Sequence, residues 1–233
     1  MAKKRKIKGN HVLIIGAGLS AKEYKNDIIK FVKKNNPVTF VCNYIDNIVV
    51  PDYHLWNSSK RWNIFADSID KNSILVFNSK FPKKTIKKKW TGPYKTFQSV
   101  ERKWKPGADK RCNVFYRNGK MFGCFRDAVI LSIFYSYINK ASKISVIGMD
   151  GYTFYSKGKG NKKHVNAHCF KDGLETDMKM KQIGYKYYRD LDIENGKTLS
   201  LLYRYCLKKY GFGFEILTPT VHSRFYNKKV FGI

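Results

Sequence analysis

The residues able to do chemistry are concentrated in two stretches of this chain. The first is HVLIIGAGLSA, residues 11–21, where a short apolar run ends in Gly16-x-Gly18 and Ala21 fills the third small position. Glycines let a backbone approach a phosphate closely, and a helix that follows offers unpaired N–H groups to an anion. Ser20 is placed to cap such a helix. The second stretch holds Tyr152 and Tyr155, then His164 and His168 in HVNAH, then Glu175, Thr176 and Asp177. Histidine is the natural general base near neutral pH. Two histidines at i and i+4 also suit a metal. The metalloprotease pattern, however, puts Glu directly after the first His, where this chain has Val165, and no third ligand is evident. No metal is expected.

A glycine turn of this kind serves NAD and FAD enzymes, which usually carry an acidic residue at the end of the second strand to hold the ribose. Here that strand ends VCN, with Asn43 in the acidic position and Asp46 beyond it. This weakens an oxidoreductase reading. A tight turn with no ligand is the other alternative. Two more strand ends carry polar groups, Asn57-Ser58 after HLW and Asp150 after ISVIGM. In an open α/β sheet, ligands sit beyond the carboxyl ends of the strands. Asn43, Asn57 and Asp150 are therefore expected to share one crevice with the glycine turn. Neutral amides there suit a base and sugar hydroxyls.

The elements that must position these groups follow from periodicity. Residues 11–15, 38–43, 52–57, 73–78, 143–150 and 214–219 read as strands, and AKEYKNDIIKFVKKNN and SSKRWNIFADSI between them as helices. Alternation of strand and helix predicts an α/β fold, a Rossmann-like, mostly parallel sheet flanked by helices. Residues 79–120 break the rhythm with Gly and Pro and much positive charge, and are expected to form an irregular basic insertion. A long apolar helix is expected from near Gly123, and two helices over 174–191 and 196–210. Asp190-x-Asp192 spells a metal-binding DxD but follows no buried strand, and is read as a helix end. Residues 152–168 are expected to be an active-site loop. Residues 1–10 are expected to be a mobile basic arm, and 11–233 a single nucleotide-binding domain.

The chain has 233 residues, with 46 Lys+Arg against 17 Asp+Glu and a net charge of +29. A field of that sign attracts polyanions. The five cysteines have no CxxC spacing, which argues against a disulfide framework and a structural zinc. No apolar run approaches the roughly 20 residues of a membrane span, and no signal-peptide core follows the basic start, so a cytoplasmic protein is expected.

Taken in order, these motifs resemble the bacterial CMP-sialic acid-dependent glycosyltransferases that build lipooligosaccharide. IIGAGLSAKEY matches the opening strand and turn, and Cys42-Asn43 the end of the second strand. Trp56-Asn57-Ser58-Ser59 matches an aromatic-Asn-x-Ser turn, and Phe122-Gly123 a helix start. Gly148-Met149-Asp150-Gly151-Tyr152 matches a strand ending in Gly-x-Asp-x-Tyr. His164, His168, Thr176 and Asp177 match a His-x-x-x-His and Thr-Asp pair, with a longer gap, and Thr218-Pro219 matches a final strand end. Residues 79–120 have no counterpart. The resemblance implies a GT-A-like sialyltransferase variant of the fold and a metal-independent transferase without a cofactor. It implies His168 as the base that deprotonates the acceptor hydroxyl. Tyr152 and Tyr155 would hold the leaving phosphate, and Gly16, Gly18, Ser20, Asn43, Asn57, Ser58, Gly123 and Asp150 the nucleotide sugar.

The acceptor is read from charge. Basic segments at 3–8, 83–89, 101–111 and 157–163 are interleaved, over 81–105, with Phe81, Trp90, Tyr94, Phe97 and Trp104. Cations track phosphates and rings stack on exposed bases. Lys87, Lys88, Lys89, Trp90, Tyr94, Arg102, Trp104 and Arg111 are the expected DNA contacts, unless the rings pack inward. The expected function is transfer of a sugar, such as arabinose, from a CMP-sugar to hydroxymethylated cytosine in phage DNA. The alternatives are sialyl transfer to a glycolipid or oligosaccharide, an NAD or FAD oxidoreductase, and a non-catalytic nucleic-acid-binding protein. The oligomeric state stays open.

Overall fold

The computed structural model describes residues 5–45, 47–101, 113–156 and 185–231. It is an α/β fold of the Rossmann-like kind. Nine strands form one sheet: β1 (His11–Ile15), β2 (Val38–Cys42), β3 (Tyr53–Trp56), β4 (Ile74–Asn78), β5 (Tyr94–Glu101), β6 (Phe115–Arg117), β7 (Lys120–Gly123), β8 (Lys143–Ile147) and β9 (Phe214–Ile216). Their order across the sheet is β6-β7-β5-β4-β3-β2-β1-β8-β9. Every pairing is parallel except β6 with β7. The central strands are apolar on both faces, and all residues of β2 and β3 are buried. That is what a parallel sheet covered by helices on both sides requires.

The six described helices are α1 (Leu19–Glu23), α2 (Lys25–Asn35), α3 (Ser59–Phe65), α4 (Lys83–Lys87), α5 (Ala128–Ile138) and α6 (Tyr185–Tyr210). One face of the sheet packs through Phe40, Leu55 and Val146 against α5 and α6, which contribute Phe134, Tyr137 and Leu202. The other face carries Leu13, Ile15 and Val41 against Ile28 of α2. A third cluster joins Trp56, Trp62, Phe77 and Ile86 under α3 and α4. Burial of each such side chain contributes roughly 1.5–3 kcal/mol. Helix α5 is buried from Ala128 through Tyr137. It is apolar all round because it lies between the sheet and α6.

Several expectations need correction. The described parts of 79–120, residues 79–101 and 113–120, are not irregular: α4, β5, β6 and the start of β7 lie there, and β5 continues the parallel sheet beyond β4. β5 is buried only at Phe97 and Ser99, too short a row to show a strand period. Gly123 ends β7, and the long helix starts only at Ala128, capped by Asp127, whose Oδ1 accepts from the Val129 N–H at 2.6 Å. The pair of helices expected near the carboxyl end is, over the described residues, one 26-residue helix that runs through Gly196. Asp190-x-Asp192 lies inside it. The described part of the basic arm is docked: Arg5 pairs with Asp52 at 2.6 Å, and Ile7 is buried. Cys42 and Cys206 are free and buried, whereas Cys124 is disulfide-bonded. No described helix is long and apolar enough to cross a membrane.

Candidate functional site

A cavity of about 440 Å³ opens at the carboxyl ends of the strands. Its wall takes Gly18 from the turn after β1, Asn43 after β2, Asn57 and Ser58 after β3, and Asp150 and Tyr152 after β8. Adjacent parallel strands carry these groups, so residues up to 134 positions apart in sequence (18 to 152) come together. The location is the switch point where β1 separates β2 on one side from β8 on the other.

The glycines of the first turn have a packing reason. A Cβ on Gly16 would lie 2.5 Å from the Gly148 carbonyl oxygen, and one on Gly18 would lie 2.6 Å from the Asp150 carboxyl. The turns after β1 and β8 are thus pressed together, joined by the Gly18 N–H donating to the Gly148 carbonyl at 2.9 Å. Gly18 lines the cavity, whereas Gly16 packs against Gly148 and Val129.

Ser20 does not cap α1 with its own side chain. The cap residue is Gly18. Ser20 is fully buried and its hydroxyl donates to Asp150, while its N–H donates to Asp150 Oδ2 at 2.9 Å. Asp150 therefore spans β8 and the start of α1. Burial pushes its carboxyl up to about 6, against the lowering effect of the Ser20 hydrogen bonds. Asn43 adopts the left-handed conformation, φ 54°, and its Oδ1 accepts from the Asn57 N–H at 3.2 Å. Asn tolerates that conformation better than most residues. Its backbone carbonyl is bonded to buried His54, whose imidazole burial pushes down to about 4. Ser58 caps α3, accepting from the Arg61 N–H at 3.3 Å.

Tyr152 lines the cavity, and burial raises its phenol above the usual range. Its backbone is held by Asp192 of α6. Asp192 Oδ1 accepts from the Tyr152 N–H at 2.8 Å, and Oδ2 from the Thr153 N–H at 2.9 Å and the Thr153 hydroxyl at 2.7 Å. The aspartate read as part of a helix end thus fixes the cavity loop. Tyr155 does not line the cavity; its hydroxyl donates to Glu23 at the end of α1. Gly123 is also elsewhere, under the ring of Phe125, where a Cβ would lie 2.6 Å from that ring.

The cavity also gathers residues that sequence reasoning passed over: Lys60, Arg61, Arg126, Asp127, Asn195 and His222. Arg126 is paired with Glu194 at 3.0 Å. Lys60, Arg61 and Arg126 bring cations that suit a phosphate to a cavity that also holds the Asp127 and Asp150 carboxylates. Arg61 and Asp127 left a readable signal, since each lies within four residues of a strand or helix end. Among the described residues, no cluster of three or more His, Cys, Asp or Glu is arranged to hold a metal ion.

Of the expected DNA contacts, Lys87 and Lys88 are exposed, and Lys89 is paired with Asp67. Trp90 and Tyr94 pack inward on the Trp56–Trp62–Phe77 cluster, and Phe81 and Phe97 are buried. Phe81 packs on the α3–α4 side and Phe97 against Tyr135 of α5, while Trp90 and Tyr94 are half-buried. None of these residues lines the cavity. Arg102, Trp104, Arg111, His164, His168 and the Thr176–Asp177 pair lie outside the described residues. No protein-family model and no curated protein matches the chain.

Proposed function

We propose that this protein is a glycosyltransferase that moves a sugar from a CMP-sugar to a hydroxyl, with hydroxymethylated cytosine in DNA as the acceptor. The observation that carries the reading is the gathering of Gly18, Asn43, Asn57, Ser58, Asp150 and Tyr152 in one polar cavity at the sheet's switch point. These residues come from four separate motifs of the resemblance to CMP-sialic acid-dependent transferases. Asn43 supports it further, because a neutral amide stands where a dinucleotide enzyme places an acid. The net charge of +29 supports a polyanionic acceptor.

In this reading the amides of Asn43 and Asn57 face the nucleoside, and Tyr152, Lys60 and Arg61 face the phosphate. The acceptor oxygen bonds to the anomeric carbon while its proton passes to His168. The bond from that carbon to the phosphate oxygen breaks, and its electron pair leaves with CMP. Phenolic and cationic donors stabilise the charge that develops on the phosphate. The test is transfer from CMP-arabinose to a hydroxymethylcytosine oligonucleotide. His168→Ala is expected to slow turnover by about 10² or more and to spare CMP binding. Unchanged turnover removes His168 from the reaction. Transfer to a glycolipid from CMP-N-acetylneuraminate, with none to DNA, replaces the acceptor.

A further inference from the structure

The cavity has an order imposed by the sheet. Reading across β3, β2, β1, β8 and β9, the strand ends present Asn57, Asn43, Gly18, Tyr152 and then, in the segment after β9, His222. Neighbouring strands lie about 4.8 Å apart, so this row spans roughly 19 Å. A nucleotide sugar laid along it, nucleoside at Asn57 and Asn43 and phosphate near Tyr152, brings its sugar to His222.

His222 is built in rather than incidental. It is 7% exposed, and its Nε2 is buried with no hydrogen-bond partner among the described residues. A buried polar atom of that kind is costly to leave unmatched. The backbone that carries it is locked to the turn after β8: the Val221 N–H donates to the Asp150 carbonyl at 2.8 Å, and the Thr220 hydroxyl to the Met149 carbonyl at 2.6 Å. The Thr220 oxygen also accepts from the His222 N–H at 3.1 Å. The ring faces Gly196, where a Cβ would lie 3.4 Å from Nδ1. His222 also lines a second groove, with Ser200, Ser223, Arg189 and Arg224 on its wall. It therefore stands where the nucleotide cavity meets an outer polar groove.

We propose that His222 is the residue that contacts the transferred sugar, its Nε2 hydrogen-bonded to a sugar hydroxyl, and that it sets the preference for the sugar-loaded donor over free CMP. This rests on the CMP-sugar reading above. A hydroxyl both donates and accepts, so it satisfies Nε2 in either neutral tautomer of the ring. Burial keeps the imidazole neutral.

The experiment is calorimetric titration of the full chain with CMP, CMP-arabinose and CMP-N-acetylneuraminate. Wild type is expected to bind one CMP-sugar about tenfold tighter than CMP. His222→Ala should erase that advantage while CMP affinity stays within about twofold. His222→Gln, which returns a polar group at a similar reach, should restore part of it. Should His222→Ala fail to fold, the ring resonances of His222 in the wild type give the answer: they should move with the preferred CMP-sugar and stay in place with CMP. An advantage that survives in His222→Ala, a loss of CMP affinity in that variant, or a ring that does not respond would each overturn the assignment. So would a wild type that binds CMP and gains nothing from either sugar. A wild type that binds no CMP at all sinks the transferase reading itself.

Discussion

His222 and Asp150 show how single residues at this site trade stability for readiness. Burial pushes the His222 imidazole down to about 4, below its ordinary value of 6.5, so the folded protein holds it neutral. The unfolded chain takes up a proton as pH falls through 6.5 and the folded chain does not, until about 4. Stability from this group is therefore complete above 6.5 and is lost as pH falls between those values. The charges lining the two spaces it borders are Asp192, Arg189 and Arg224 in the groove and Asp150, Asp127, Arg126, Lys60 and Arg61 in the cavity. Between pH 7 and pH 5 the group should cost the wild type about 2 kcal/mol. Urea unfolding of wild type and His222→Gln at both pH values measures this, since the variant lacks the group. A stability difference between the two proteins that is independent of pH contradicts it. Asp150 acts with the opposite sign, because its carboxyl is raised to about 6: its penalty is present above that value and is relieved as pH falls.

At the scale of elements, Gly196 has the clearest consequence. It interrupts the helical pattern in sequence, and a break between two helices is the natural reading. The structure carries α6 straight through it because both halves bury residues, Asp192 and Asn195 at the cavity and its loop before it and Thr198, Leu199 and Leu202 after it. A glycine inside a helix costs about 1 kcal/mol relative to alanine. An alanine Cβ here would meet only the His222 ring, at ordinary contact distance. Gly196→Ala should therefore raise stability by up to about 1 kcal/mol in thermal unfolding. A lowered midpoint would mean that the ring sits closer than described. The sequence was legible where apolar runs were long: β1, β2, β3, β4, β8 and β9 lie where periodicity puts them. It was opaque over 79–120, where β5 is buried only at Phe97 and Ser99 in the middle of its length. For the site, strand-end motifs revealed Asn43, Asn57 and Asp150. Asp192, Asn195 and His222 were hidden because a helix and a post-strand segment bring them in from far along the chain, and no local spacing marks that.

The whole molecule places a polar cavity, lined by cations and carboxylates, at the switch point of a sheet that otherwise has apolar faces. Its charge of +29 is spread over many exposed lysines, while the rings of 81–97 are spent on packing. In the proposed reading a polyanionic acceptor would be drawn by the general field rather than by a strip of exposed rings. The central claim is that this cavity holds a cytidine nucleotide, and the most direct measurement is thermal stabilisation by CMP, UDP, GDP and NAD titrated separately. A ligand at about 100 times its dissociation constant adds about 2.7 kcal/mol. The account predicts a shift with CMP and little with the others. It predicts also that the shift disappears in Gly18→Ala, whose Cβ would collide with the Asp150 carboxyl at 2.6 Å. Stabilisation by NAD, with none from CMP, would contradict the account and make the cavity a dinucleotide site.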